Sequence, residues 1–314
     1  MSDNILANKL IYHLDRVGGD QKPITAEIFL TNFCNNRCAY CRYRHQVGEY
    51  LHYDDFVKYA TRLLELGVKG FILTGGGEPT VSPDFDRITE WLESNNIPYG
   101  INTNFNILKR IKPKYLKVSI DAINAEDYSK KRGVKRQIYD RVLNNIESYL
   151  KWKREHSPST SVGIQIVVSR YEEIEAFYTA HKALDVDYIS FRPIESEAGS
   201  YYNGENIGEY VKALEELKKT DKRVLVNYKW GMMADSFSKC YANWSVIAVD
   251  HKGNVMYCCQ KPNDIVGHIM DEDILQKKRD FKTDMRLCEV PCRLSGANKF
   301  LEKIEQGGKD IEFV

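Results

Sequence analysis

Residues 26–41 read AEIFLTNFCNNRCAYC, an apolar run that gives way to three cysteines at intervals of four and three. The β-branched and aromatic content of AEIFLT (26–31) predicts a strand, so Cys34, Cys38 and Cys41 leave its end on one loop. Thiolates this close converge on one metal centre, and three ligands rather than four leave a coordination position open. A zinc ion would want a fourth ligand, and His45 supplies one only beyond an arginine-bearing stretch.

Outward from this stretch, apolar segments alternate with longer amphipathic ones. Strands are predicted at 26–31, 70–74, 98–102, 115–120, 161–168 and 187–192, with helices near 53–66, 83–95, 125–131, 137–153, 171–183 and 205–219. In the helix near 53–66, Phe56, Tyr59, Ala60, Leu63 and Leu64 are expected on one face. Six repeats of strand then helix predict an α/β domain, either an open doubly wound sheet or a partial barrel. In both, ligands sit at the carboxyl ends of the strands.

From about residue 222 the pattern changes to short strands and turns. DHKGN (250–254) reads as a hairpin turn between VIAV (246–249) and VMYC (255–258). All five remaining cysteines, Cys240, Cys258, Cys259, Cys288 and Cys292, fall here, and residues 42–239 contain none. Four thiolates from two loops suit a tetrahedral zinc or an iron–sulfur cluster. The expected organisation is an N-terminal helix and lead-in at 1–22, a main domain at 23–221 and a cysteine-rich extension at 222–314, with the first helix near 4–15.

The 314 residues carry 45 Lys and Arg against 44 Asp and Glu, a net charge of +1 that indicates neither nucleic-acid nor membrane binding. Asp3, Asn4, Lys9, His13 and Asp15 interrupt the apolar residues of the N-terminus, so neither a signal peptide nor a membrane span is expected there. A cytoplasmic setting follows, in which eight cysteines serve as ligands or reactive thiols rather than disulfides. The 20 tyrosines are scattered and read as packing and surface residues, while the aromatic residues of YKW (228–230) and NW (243–244) read as core or hairpin packing.

CxxxCxxC after the first strand, with Tyr40 before the third cysteine, resembles the radical S-adenosylmethionine (SAM) superfamily. The resemblance implies a partial (βα)6 barrel and a [4Fe–4S] cluster on Cys34, Cys38 and Cys41 whose open iron chelates the methionine amine and carboxylate of SAM. It implies reductive cleavage of SAM to a 5′-deoxyadenosyl radical that abstracts hydrogen from substrate, fed by an electron donor such as flavodoxin or ferredoxin. TGGGEPT (74–80) maps Gly76, Gly77 and Glu78 to the SAM amino group: glycines admit the ligand closely and a carboxylate answers an ammonium. By the same resemblance Ser119 would contact the SAM ribose or carboxylate and Arg132 the carboxylate. Thr103 and Asn104 would lie near the methionine part, and Tyr40 and Arg192 would join the cofactor contacts. Taken singly, each of these is an ordinary polar residue at a strand end.

Cys240, Gly253 in the hairpin and Cys258 resemble the start of a SPASM or twitch extension, which implies an auxiliary [4Fe–4S] cluster on Cys240, Cys258, Cys288 and Cys292. Cys259 is then the spare thiol, since neighbours on a strand face opposite ways. It is either a small buried residue or a hydrogen-atom donor to a substrate radical. Past the last strand, Glu195, Glu197, Tyr201, Tyr202 and Asn203 are candidates for substrate contact. Two substrates fit: a small polar metabolite, such as a sugar, an aminocyclitol or a nucleotide-linked sugar, for oxidation, epimerisation or rearrangement, or a ribosomal peptide. About two dozen residues before the first strand are too few for a winged-helix leader-binding element, which favours the small molecule. A non-catalytic iron–sulfur or zinc protein is the remaining class.

Overall fold

The strand beginning the quoted stretch, β1 (Thr25–Phe29), lies inside a ten-stranded sheet of the computed structural model, which describes residues 10, 12–17, 19–43, 48–197, 200–232 and 237–307. Parallel to it follow β2 (Gly70–Thr74), β3 (Tyr99–Thr103), β4 (Tyr115–Ser119), β5 (Ser161–Val168) and β6 (Tyr188–Pro193), each paired with the next. All six predicted strands are present. The sheet is an unclosed α/β partial barrel, because its outermost strands pair with no further partner among the described residues.

Helices α1 (Tyr53–Glu65), α2 (Phe85–Ser94), α3 (Ala125–Arg132), α4 (Gln137–His156), α5 (Glu173–His181) and α6 (Ile207–Thr220) cover one face. Along the strands Ile28, Leu73, Ile101, Leu116, Val118, Ile164 and Ile166 are buried against helix residues such as Phe56, Leu63, Ile88, Val142 and Phe177. Alternate residues, including Glu27, Asn102, Lys117, Gln165 and Arg192, turn to the opposite face, as the two-residue period of a strand requires. Tyr115 and Tyr188, at the beginnings of β4 and β6, lie across Gly100 and Gly163. A Cβ on those glycines would come within 2.0 and 2.1 Å of the rings.

Two expectations need correction. Leu64 is exposed on α1, while Phe56, Tyr59, Ala60 and Leu63 are buried; Leu64 lies roughly 80° around the helix from Phe56, at the edge of the apolar stripe. The repeat of strand then helix also fails between β3 and β4, where no helix forms, and α3 and α4 both follow β4. Beyond β3 the chain turns sharply instead: Phe105 has φ +56°, Asn106 N–H donates to Asn104 Oδ1 at 3.0 Å, and Asn145 holds the Phe105 carbonyl at 2.9 Å.

The chain after 222 adds to the same sheet on both sides. β8 (Val224–Val226) pairs parallel with β6, whereas β9 (Val246–Val249) pairs parallel with β1. The expected hairpin forms between β9 and β10 (Asn254–Cys258), and β11 (Lys261–His268) completes an antiparallel meander. A ribbon of β7 (Ser196–Glu197) and β12 (Glu289–Val290) joins the loop after β6 to the segment between Cys288 and Cys292. Trp230 and Trp244 are buried, as expected. Most of the helix expected near 4–15 lies outside the described residues, as does His45; of that stretch Leu14 opens a single 3-10 turn that runs to Arg16. No helix among the described residues is long and apolar enough to cross a membrane.

Candidate active site

The loop after β1 is tied down before its first cysteine. Thr31 bridges to Tyr50, its hydroxyl donates to the Glu49 carbonyl at 2.7 Å, and Phe33 N–H donates to Thr31 Oγ1 at 2.9 Å. Beneath the loop runs the glycine turn at the end of β2. Glu78 N–H donates to the Phe33 carbonyl at 2.9 Å, and a Cβ on Gly77 would sit 1.8 Å from that same oxygen. Gly76, with φ +72°, faces the Thr31 carbonyl at 2.7 Å from the position of a Cβ. The glycines thus let two backbones touch, a use the sequence reading assigned to ligand approach.

Cys34, Cys38 and Cys41 are half-buried free thiols. Cys34 Sγ accepts from Asn36 N–H at 3.4 Å and from Asn104 Nδ2 at 3.9 Å, and Cys38 Sγ accepts from Arg132 Nη1 at 3.4 Å. Burial pushes the Cys34 thiol up to about 12; the Asn36 bond opposes this, while Glu78, Cys38 and Cys41 add to it. Donors already aimed at sulfur suit a thiolate set holding an anionic cluster.

Glu78 is enclosed: its carboxylate accepts from Thr80 N–H at 3.1 Å, Thr80 Oγ1 at 2.7 Å, Thr103 Oγ1 at 2.5 Å and Asn104 N–H at 2.7 Å. Burial raises its pKa against the pull of these bonds. Thr103 and Asn104 therefore act on Glu78 and Cys34 rather than standing free at the strand end.

Arg132 is brought to the cysteines by the shape of α3. Asn124 caps its start by accepting from Asp127 N–H at 2.9 Å, three cations fill its last turn, and Gly133 ends it at φ +62°. The Arg132 carbonyl takes the Arg37 N–H at 2.8 Å. Its guanidinium pairs with Asp121 at 2.6 Å and donates to the Ser119 carbonyl. Burial opposes the Arg132 charge, but Asp121, then Tyr40 and Cys38, outweigh it and raise the pKa well above the arginine value. Asp121 also accepts from Tyr40 Oη at 2.8 Å and Val167 N–H at 2.6 Å.

Asp121 has no role assigned from the sequence. Its signal was the sequence Ser-Ile-Asp at a strand end, but its φ of +54° and its three partners are tertiary facts. Because both members of the Asp121–Arg132 pair are buried, Asp121→Asn is expected to lower stability by about 3–5 kcal/mol. A matching drop in the urea midpoint of the anaerobic protein checks this; an unchanged midpoint contradicts it.

Cys240, Cys258, Cys288 and Cys292 line one cavity of about 660 Å³, together with Gln260, Met285 and Asn298. Cys259 does not line it; its carbonyl instead accepts from Tyr43 Oη. Asn298 Nδ2 donates to Cys240 Sγ at 3.7 Å, Gln260 N–H to Cys258 Sγ at 3.5 Å and Leu294 N–H to Cys292 Sγ at 3.3 Å. The Cys259 thiol donates to Cys258; that bond, helped by Arg293, lowers the Cys258 pKa to about 6, while the same bond and burial raise that of Cys259 against the pull of Arg293. Among the described residues no three ligand side chains close around a single ion. Four thiols spread around a wide cavity fit a polynuclear cluster better than one zinc.

The two cysteine sets touch through the loop after Cys41. Arg42 donates to the Gln260 carbonyl, Tyr43 to that of Cys259, and the Tyr43 ring packs edge-on against Phe29 at 5.3 Å. Of the substrate-loop candidates, Glu195 is ion-paired to Lys229 and, at 3.1 Å, to Arg192. Tyr202 is a buried packing residue, Tyr201 and Asn203 are exposed, and the Glu197 side chain lies outside the described residues.

Residues 28–183 match the radical SAM superfamily. A probable GTP 3',8-cyclase of Thermococcus kodakarensis is 31% identical over 153 residues, 44% of this chain and 47% of that one. A GTP 3',8-cyclase of Hydrogenovibrio crunogenus is 28% identical over 197 residues, 55% of each chain. The chain spans about half the length of the curated relatives it matches. Among solved structures, Streptococcus suis SuiB bound to precursor peptide SuiA aligns with a TM-score of 0.65 at 16% identity, over 95% of this chain and 76% of SuiB. Native anSMEcpe with bound AdoMet and Cp18Cys peptide aligns with a TM-score of 0.60 at 18% identity, over 85% of this chain and 88% of that one. At such identities these two structures share the fold. With its cysteine loop inside the matched span, the chain belongs to the radical SAM superfamily.

Proposed function

We propose that this chain is an enzyme that cleaves SAM reductively and uses the resulting radical on a small polar substrate, to oxidise, epimerise or rearrange it. The observation that carries the reading is the Cys34–Cys38–Cys41 loop seated on the Gly76–Gly77 turn, with Arg132 and Asn104 already donating to its sulfurs. In this reading the three thiolates hold a [4Fe–4S] cluster. Cluster and SAM, when bound, supply one-electron cleavage of a C–S bond.

The chain's own part is orientation. Asp121 fixes Arg132 and Tyr40 on one side of the cysteines, and Thr80, Thr103 and the Asn104 amide fix Glu78 on the other. A carboxyl held by four donors from three residues presents one geometry to an incoming ammonium, whose charge would draw its raised pKa back down. Cys240, Cys258, Cys288 and Cys292 would hold an auxiliary cluster in their shared cavity. An external one-electron donor, such as flavodoxin or ferredoxin, would supply the reductant.

A peptide substrate is a second reading, favoured by the β7–β12 ribbon, whose two strands leave edges for an extended chain. Anaerobic reconstitution tests the main proposal: about eight irons per chain are expected, with 5′-deoxyadenosine released on reduction with SAM. About four irons would remove the auxiliary cluster. No 5′-deoxyadenosine from intact clusters would overturn the enzyme reading.

A further inference from the structure

Helix α7 (Ile274–Asp280) ends in three consecutive cations, Lys277, Lys278 and Arg279, and only the middle one is buried. Lys277 pairs with Asp271 at 2.9 Å and Asp273 at 3.0 Å, and Arg279 donates to Gln276 at 2.9 Å, all on the exposed side. Lys278 lies one helical turn after the buried Ile274, on the face that packs inward, and is 4% exposed. Its ammonium donates to the Tyr257 carbonyl at 2.7 Å and to Asn243 Oδ1, while Asn243 Nδ2 donates to that same carbonyl at 2.6 Å. Both acceptors are neutral, and no carboxylate pairs with Lys278 among the described residues.

The place of this lysine is next to the second cysteine set. The Tyr257 carbonyl belongs to the peptide that leads into Cys258, and Lys278 shares a cavity of about 310 Å³ with Cys240, Asn243 and Tyr257. Cys240 and Tyr257 also line the 660 Å³ cavity, so they form the wall between it and Lys278. The other cations near these thiols already answer carboxylates. Arg293 pairs with Glu27, Lys229 with Glu195, and Arg286 with Asp284 at 2.8 Å. Lys261 donates to Thr283 Oγ1 at 2.7 Å, and that hydroxyl donates to Asp264 at 2.5 Å. Burial opposes the Lys278 charge, whereas Cys258 and then Cys240 favour it. An enclosed ammonium needs a counter-charge, and the thiolates are the one within reach.

We propose that the Lys278 ammonium is the fixed counter-charge of the auxiliary cluster and raises its reduction potential. A cluster on four thiolates is an anion and reduction adds a further negative charge, so a cation behind Cys240 and Cys258 stabilises the reduced form more than the oxidised one. The bonds to Asn243 and to the Tyr257 carbonyl hold that charge in one place. Lys278 therefore acts on the cluster through the wall of the cavity, as a positioning residue. The inference rests on the auxiliary cluster of the proposed function and adds what sets its potential.

The test is a redox titration of the anaerobically reconstituted protein, followed by electron paramagnetic resonance with and without SAM; the auxiliary couple is the one that SAM leaves in place. Lys278→Gln keeps a donor for the Tyr257 carbonyl and removes the charge. It should lower the auxiliary midpoint by about 59 mV, a tenfold loss in the reduction equilibrium. Lys278→Arg, which keeps the charge, and Lys277→Gln, which removes an exposed charge from the same helix, should stay close to wild type. Circular dichroism and about eight irons per chain show that each variant folds and carries both clusters, and Lys278→Met replaces the Gln variant if that one does not. A Lys278→Gln midpoint equal to wild type, or an equal fall in Lys278→Arg or Lys277→Gln, would overturn the proposal, since a merely structural contact shifts stability without following the charge. A wild-type protein with about four irons removes the auxiliary cluster and this proposal with it. One with about eight irons whose midpoint ignores Lys278 sinks the counter-charge alone, and one that shows the shift but makes no 5′-deoxyadenosine sinks only the radical reading.

Discussion

Cys38→Ala should abolish 5′-deoxyadenosine formation, whereas Cys292→Ala should keep a measurable part of it and lose product. The two thiols belong to different sets. Cys38 shares a loop with Cys34 and Cys41 and takes the Arg132 hydrogen bond at 3.4 Å, while Cys292 lines the 660 Å³ cavity with Cys240, Cys258 and Cys288. With only three ligands in the first set, losing one leaves two, too few to hold a cluster with a single open position. Each variant should retain about four irons per chain, half the wild-type content, so iron alone does not distinguish them and the cleavage assay must. If both variants keep equal product formation, the division of labour between the sets is wrong.

Gly77→Ala is expected to be nearly as severe without touching a ligand. The added methyl would lie 1.8 Å from the Phe33 carbonyl oxygen, 2.5 Å from its carbon and 2.7 Å from its nitrogen. These are backbone atoms one residue before Cys34, so no side-chain rotation relieves the clash, and the loop itself must lift. Lifting breaks the Glu78 N–H bond to Phe33 and displaces Cys34 from Asn104. The expected result is loss of about four irons and of SAM cleavage, with the auxiliary set retained. Gly231→Ala serves as control, because nothing lies within 4 Å of its added methyl. A Gly77→Ala protein with full iron and normal cleavage would show that the turn does not support the loop.

Much of this architecture was legible along the chain. The runs at 70–74 and 161–168 alternate or stay apolar over strand lengths, and the α1 stripe at Phe56, Tyr59, Ala60 and Leu63 repeats at helical spacing; both patterns follow from backbone periods that hold wherever the segment ends up. The cysteine intervals were legible for a similar reason, since residues three and four apart on one loop remain near one another. Cys258 and Cys259 were separable in part, because adjacent strand residues face opposite ways.

What the chain order left open was which distant segments meet. Nothing local marks β9 as the parallel neighbour of β1, or β8 as that of β6, because short apolar strands carry little pairing information. Asp121 reads as one more polar residue at a strand end until Tyr40 and Arg132, 81 residues before it and 11 after it, close on it.

Residue spacing alone therefore determines the strand and helix order and the two cysteine groups, while the resemblance of the motifs points to the family. Tertiary structure decides the rest: that the glycine turn carries the cysteine loop, that Cys258 rather than Cys259 faces the shared cavity, and that Asp121 holds both Arg132 and Tyr40. Periodicity and short spacing are properties of neighbours, whereas burial, electrostatic balance and steric contact belong to segments that meet only when the sheet assembles.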